Sequence, residues 1–112
     1  MGFPAQRLRR LRRTPALRRM VAETRLRVDD LLAPLFVREG TQDPVPIASL
    51  PGQVQHSVGS LVAEAKRLAS LGVPGVMLFG VPASKDATGS GASDPKGIVQ
   101  QALTELRSAL GD

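Results

Sequence analysis

Apolar positions mark the chain's elements before any other property is weighed. Leu31-Leu32-Ala33-Pro34-Leu35-Phe36-Val37 is a short apolar run closed by Arg38-Glu39-Gly40. A run of this length without polar alternation predicts a strand over 31–37 that is buried on both faces, as in a parallel sheet. Pro34 lacks a backbone N–H, so it belongs where the sheet does not need that donor. A second such run, Gly75-Val76-Met77-Leu78-Phe79-Gly80-Val81, predicts a strand over 75–81. Between the two, Val58, Leu61, Val62, Ala65, Leu68 and Ala69 fall on one helical stripe, and Glu64, Lys66 and Arg67 fall off it. This predicts a helix over 58–71, with Ser57 as N-cap and Gly72 as the C-terminal stop. Ile98, Val99, Ala102, Leu103, Leu106 and Leu110 form a last stripe. Asp94-Pro95 ahead of it predicts a capped helix over 95–110.

The remaining stretches are polar or rich in Pro and Gly. Residues 38–57 read as a long loop in which Val45-Pro46-Ile47-Ala48 adds a little strand, and 82–93 reads as a small polar loop. Residues 1–13 show no helical period and read as extended. Thr14-Pro15 then predicts a short helix to about residue 24, with Leu17, Met20 and Val21 as its apolar stripe. A helix of barely two turns is unstable alone and needs a surface to dock on. The organisation is therefore an arm, 1–28, and a body, 29–112, with element order β, α, β, α. That order implies a parallel pair joined by a right-handed crossover. Two parallel strands do not stand alone in water, so further βα units are expected to follow.

Charge sharpens this division. Residues 1–20 hold seven arginines and no acid, whereas residues 21–112 carry eight basic and ten acidic side chains. The formal net charge of +5 thus belongs to the arm. With no cysteine, disulfides and cysteine-ligated zinc are excluded within this segment, and a reducing compartment fits. No apolar run reaches the ~20 residues of a membrane span. The basic start lacks the apolar core of a secretory signal and the serine content of an organellar transit peptide.

Four stretches resemble the start of the porphobilinogen synthase (5-aminolevulinate dehydratase) family. They are Arg9-Arg10-Leu11-Arg12-Arg13-Thr14-Pro15-Ala16-Leu17-Arg18, Asp29-Asp30-Leu31-Leu32-Ala33-Pro34-Leu35-Phe36-Val37, Pro46-Ile47-Ala48-Ser49-Leu50-Pro51-Gly52, and Leu78-Phe79-Gly80-Val81-Pro82 with Lys85-Asp86 and Gly89-Ser90. In this order they cover nearly the whole chain. Gln55 departs from the arginine this family often places there. The resemblance implies an α/β fold: the first two βα units of a (β/α)₈ TIM barrel, preceded by an extended, partly helical N-terminal arm. It also implies a cytoplasmic lyase of heme biosynthesis that condenses two 5-aminolevulinate molecules to porphobilinogen with loss of water. Two Schiff-base lysines carry that reaction, and zinc or magnesium is expected in the full-length family. Those motifs lie on later strands, so this segment is expected to bind no cofactor, to hold no catalytic residue and to be inactive alone.

Within the chain, Lys85 follows the C-terminal end of a strand, the catalytic side of such barrels. With Asp86 and Phe79 it is a candidate pocket-lining residue, set against a solvated Lys-Asp pair and a packed Phe. Lys66, on a polar helix face, and Lys96, in a first helical turn, read as solvated. The Gly89-Ser90-Gly91-Ala92-Ser93-Asp94 loop resembles an anion nest, but a carboxylate at the helix cap opposes that reading. His56 has no second ligand at metal spacing and reads as a loop histidine. Asp29-Asp30 reads as a turn cap.

For the arm, the resemblance implies homo-oligomerisation up to an octamer. Arg9, Arg10, Arg12, Arg13, Arg18 and Arg19 would pair with partner carboxylates. Without interleaved aromatics or a recognition helix, nucleic acid is not the expected partner. The alternative is a non-catalytic basic α/β binding module.

Overall fold

The computed structural model describes residues 2, 3 and 5–111. The first strand, β1, is Leu32–Arg38. It is followed by β2 (Val45–Pro46) and β3 (Val54–His56). Helix α2 (Val58–Ser70) then leads to β4 (Gly75–Val81), and α3 (Ile98–Leu110) closes the body. Ahead of them stands α1 (Pro15–Met20). The sheet order is β2-β3-β1-β4. β1 pairs in parallel with β4 along its whole length, from Leu32 opposite Gly75 to Arg38 opposite Val81.

β3 is a strand where a loop was expected. Its three residues are too few to show a period, and what selects the extended state is the open edge of β1. There Phe36 pairs with Gln55 and Val37 with His56, in parallel. Gln55 adds a side-chain tie, its Oε1 accepting from Arg38 Nη1 at 3.0 Å. Pairing with β3 begins at Phe36, so Pro34 lies where one edge of β1 has no partner and its missing donor costs nothing. β2 runs antiparallel to β3.

Both long helices pack on one face of the sheet. Leu35 and Val37 of β1, Leu61 and Ala65 of α2, and Ile98, Ala102 and Leu106 of α3 form a single buried cluster. Ser57 caps α2 by accepting from Ser60 N at 3.1 Å. The helix ends in a Schellman motif at Gly72, whose φ is +86°. Val73 N reaches Leu68 O, and Gly72 N reaches Ala69 O. The expected stripes are wider than the core they meet, since Ala69, Leu103 and Leu110 are exposed.

Helix α3 starts three residues later than the Asp94-Pro95 pattern predicts. Asp94 Oδ1 accepts from Lys96 N at 2.9 Å, and its carbonyl accepts from Gly97 N at 2.8 Å. The pair spends itself on a separate turn, and Gly97 becomes the N-cap, with no side chain to satisfy the first amides.

Among the described residues no helix covers the other sheet face. Burial on both faces, expected from the apolar runs, is therefore not met within this chain. Leu32 is 53% exposed, Met77 48% and Phe79 44%. Phe36 and Phe79 stack there with centroids 5.4 Å apart.

In the arm, Thr14 Oγ1 accepts from Leu17 N at 3.2 Å, and the last helical bond runs from Val21 N to Leu17 O. The helix stops short of residue 24, and its apolar side is largely open, with Met20 77% and Val21 45% exposed. Arg10–Arg12 form one 3₁₀ turn within the stretch expected to be extended, held by local i→i−3 bonds that need no apolar period. The radius of gyration is 21.3 Å, against about 13 Å for a compact domain of ~100 residues. The chain is extended, and α1 packs on the 3₁₀ turn before it.

Candidate functional site

The C-terminal ends of β1 and β4 lie side by side, and the loop after β4 folds back over them toward α3. Between loop and helix is an open hollow of about 750 Å³, lined among others by Glu39, Gly80, Lys85, Asp86, Lys96 and Gly97. Two glycines make the close approaches. A Cβ on Gly80 would lie 2.6 Å from Val99 Cγ2, and one on Gly97 would lie 2.8 Å from the carbonyl oxygen of Gly91.

Two carboxylates order the loop. Glu39, just past β1, donates its N–H to Val81 O at 2.9 Å and accepts from Ala83 N on Oε2 at 2.8 Å. Asp86 Oδ1 accepts from Thr88 N at 3.2 Å, from Thr88 Oγ1 at 3.2 Å and from Ser90 N at 2.9 Å, while the Ser90 hydroxyl bonds Oδ2. The Ser90 hydroxyl first, then the Ser90 amide, hold the Asp86 carboxyl down at about 2, with Thr88 and the Gly89 amide adding to them. These bonds favour the charged form.

Lys85 and Asp86 thus share the hollow, but no ion pair joins them among the described residues. Phe79 is not part of it and lies on the helix-free sheet face against Phe36. Lys66 and Lys96 are exposed, Lys96 in the turn before α3 and not in its first turn. The same late start removes Asp94 from the helix cap. Asp30 Oδ2 accepts from Arg27 N at 2.8 Å and so caps a short 3₁₀ turn. His56 is on a strand, not in a loop. Its Nδ1 lies 3.0 Å from Ser60 Oγ, and burial lowers its pKa, partly countered by Glu64. Arg9, Arg10, Arg12, Arg13, Arg18 and Arg19 are all exposed, with Arg18 Nη1 donating to Arg12 O at 2.8 Å. Among the described residues no group of three or more His, Cys, Asp or Glu is placed to hold a metal ion. No helix among them is long and apolar enough to cross a membrane.

Glu39 was missed by sequence reasoning. The available signal was an acid directly after a strand's C-terminal end, but its partner is 44 residues away.

A parallel β-α-β-α unit with a loop-built hollow at its strand ends is the local design of α/β barrel enzymes. Residues 5–112 match the family described as delta-aminolevulinic acid dehydratase, and the chain belongs to that family. It is 54% identical over 99% of its length to the delta-aminolevulinic acid dehydratase of Streptomyces coelicolor, of which it covers 34%. The corresponding figures for the Mycobacterium tuberculosis enzyme are 48%, 99% and 34%. It also superposes on the crystal structure of the Toxoplasma gondii enzyme in complex with the reaction product porphobilinogen. There the TM-score is 0.86 at 32% identity, covering 99% of this chain and 32% of that one. The chain spans about a third of the length of the curated relatives it matches. A stand-alone basic binding module is not favoured.

Proposed function

We propose that the chain is the N-terminal segment of a porphobilinogen synthase, supplying its arm and the first two βα units of its barrel. The observation that carries this reading is the helix-free sheet face. Leu32, Phe36, Met77 and Phe79 present apolar surface on the side that a closed barrel fills with side chains from its other strands. The family match supports it over residues 5–112. The full-length protein would condense two molecules of 5-aminolevulinate to porphobilinogen in the cytoplasm, with its Schiff-base lysines and any zinc or magnesium on the remainder of the barrel. Here Lys85 and Asp86 line the rim, and Phe79 lines the barrel interior below it. The six arginines of the arm bind a neighbouring subunit.

The test is porphobilinogen formation from 5-aminolevulinate by the full-length protein and by residues 1–112 alone. Turnover by the full-length protein only is expected. Turnover by the 112-residue chain, or borohydride trapping of substrate on Lys85, refutes the division of labour. Full-length protein without dehydratase activity refutes the function.

A further inference from the structure

We propose that Glu39 is a positioning residue that latches the loop after β4 across the two strand ends and thereby fixes Lys85 at the mouth of the hollow; this rests on the functional reading above. The parallel ladder between β1 and β4 ends at Arg38 and Val81. Glu39 extends it twice. Its backbone N–H takes Val81 O, and its carboxylate then stands in for a strand carbonyl by accepting from Ala83 N at 2.8 Å. Pro82, between these two anchors, contributes a fixed φ and no donor. Two residues beyond Ala83 is Lys85, and Asp86 clamps the far side through Thr88 and Ser90. The backbone carrying Lys85 is therefore held at both ends by carboxylates, where it lines the hollow. Glu39 also lines it, but its Oε2 is committed to the Ala83 amide, a charge-assisted bond of the stronger kind. Its work is geometric. Displacement of a binding group by about 1 Å is enough to damage a site, and a free loop would allow that.

The latch is tested in the full-length protein with Glu39→Ala and Glu39→Gln, reading amide hydrogen exchange at Ala83 together with KM and kcat for 5-aminolevulinate. Glu39→Ala removes the acceptor and is expected to speed Ala83 exchange on the order of tenfold, the worth of a hydrogen bond to a charged group. KM should rise with it while kcat holds. Glu39→Gln keeps a neutral acceptor and is expected between wild type and Ala on both readouts. Unchanged Ala83 exchange in Glu39→Ala overturns the latch. Faster exchange with unchanged KM overturns the positioning role and leaves a structural clip. Should Glu39→Ala not fold, Glu39→Gln against wild type decides: faster exchange confined to residues 83–86 supports the latch, and no difference overturns it. Loss of dehydratase activity in the unmutated protein would refute the functional reading instead, and Ala83 exchange still decides the latch.

Discussion

At the scale of single residues, two positions have consequences that side-chain type alone does not disclose. Gly80 needs no unusual φ; it is glycine because α3 lies on it. A Cβ there meets Val99 Cγ2 at 2.6 Å and Ile98 Cγ2 at 3.1 Å, both branched side chains at the helix–sheet seam. Gly80→Ala should destabilise the full-length protein by about 1–3 kcal/mol, the usual cost of an added methyl that forces its neighbours to shift, seen as a lower denaturant midpoint. A midpoint equal to wild type would mean that α3 is loosely seated. Asp86 predicts a pH response. Its carboxyl sits at about 2 in the folded chain against an ordinary 3.8. A depressed carboxyl stabilises above its unfolded value and loses that contribution as pH falls through its folded value. Loop 86–90 should therefore stay ordered down to about pH 4 and loosen between there and about pH 2, followed by the amide shifts of Thr88 and Ser90. In Asp86→Asn the same amides should show no such transition.

Among the elements, α2 has a cap, a buried centre and a stop that coincide with the pattern of the sequence, although Ala69 of its stripe is exposed. Ser57 caps it, Leu61 and Ala65 bury its stripe, and Gly72 turns it off. Ser57 is itself buried, so Ser57→Ala should cost about 1 kcal/mol through the loss of the bond from Ser60 N. Equilibrium unfolding measures it, with Ser57→Asp, which keeps an acceptor, as the rescue. A null effect would show that α2 is held by packing alone. Helix α1 is the opposite case. It has its Thr14 cap and Pro15 start, yet its Leu17 is only half-buried and Met20 and Val21 are exposed. Capping defines where it begins, but its apolar stripe stays largely open among the described residues.

For the molecule as a whole, the sheet face with Leu32, Met77 and Phe79 exposed predicts poor behaviour of this chain in isolation. Edge strands and apolar surface together invite pairing between copies. Light scattering should show association, and circular dichroism should show no cooperative melt; a well-behaved monomer with a sharp melt would contradict the barrel reading. The arm carries the surplus positive charge and exposed Leu8, Leu11 and Met20. Deleting residues 1–20 from the full-length protein should lower its oligomeric state and leave each barrel folded, by analytical ultracentrifugation. An unchanged assembly sinks the role given to the arm. So does DNA binding that persists at physiological salt, since phosphate contacts weaken steeply as salt rises.

Local patterns determined what local physics controls. Strand β4 was legible because five apolar side chains and two glycines, without a polar residue, lie between Val73-Pro74 and Pro82, and α2 because its stripe, cap and stop coincide. Lys85 and Asp86 stood out because they follow a strand end, although only the folded chain shows Asp86 bound to Thr88 and Ser90 and not paired with Lys85. The sequence misplaced the start of α3, since Asp94 can cap either a turn or a helix and the contacts choose. It gave no sign of β3, which is extended because β1 offers it an edge. Nor did it show that both helices share one sheet face, or that Glu39 meets Ala83 across 44 residues. Periodicity and capping act within a few residues and can be read in one dimension. Which face is covered, and which distant amide a carboxylate finds, depend on how the strands are placed side by side, and only the tertiary structure decides that.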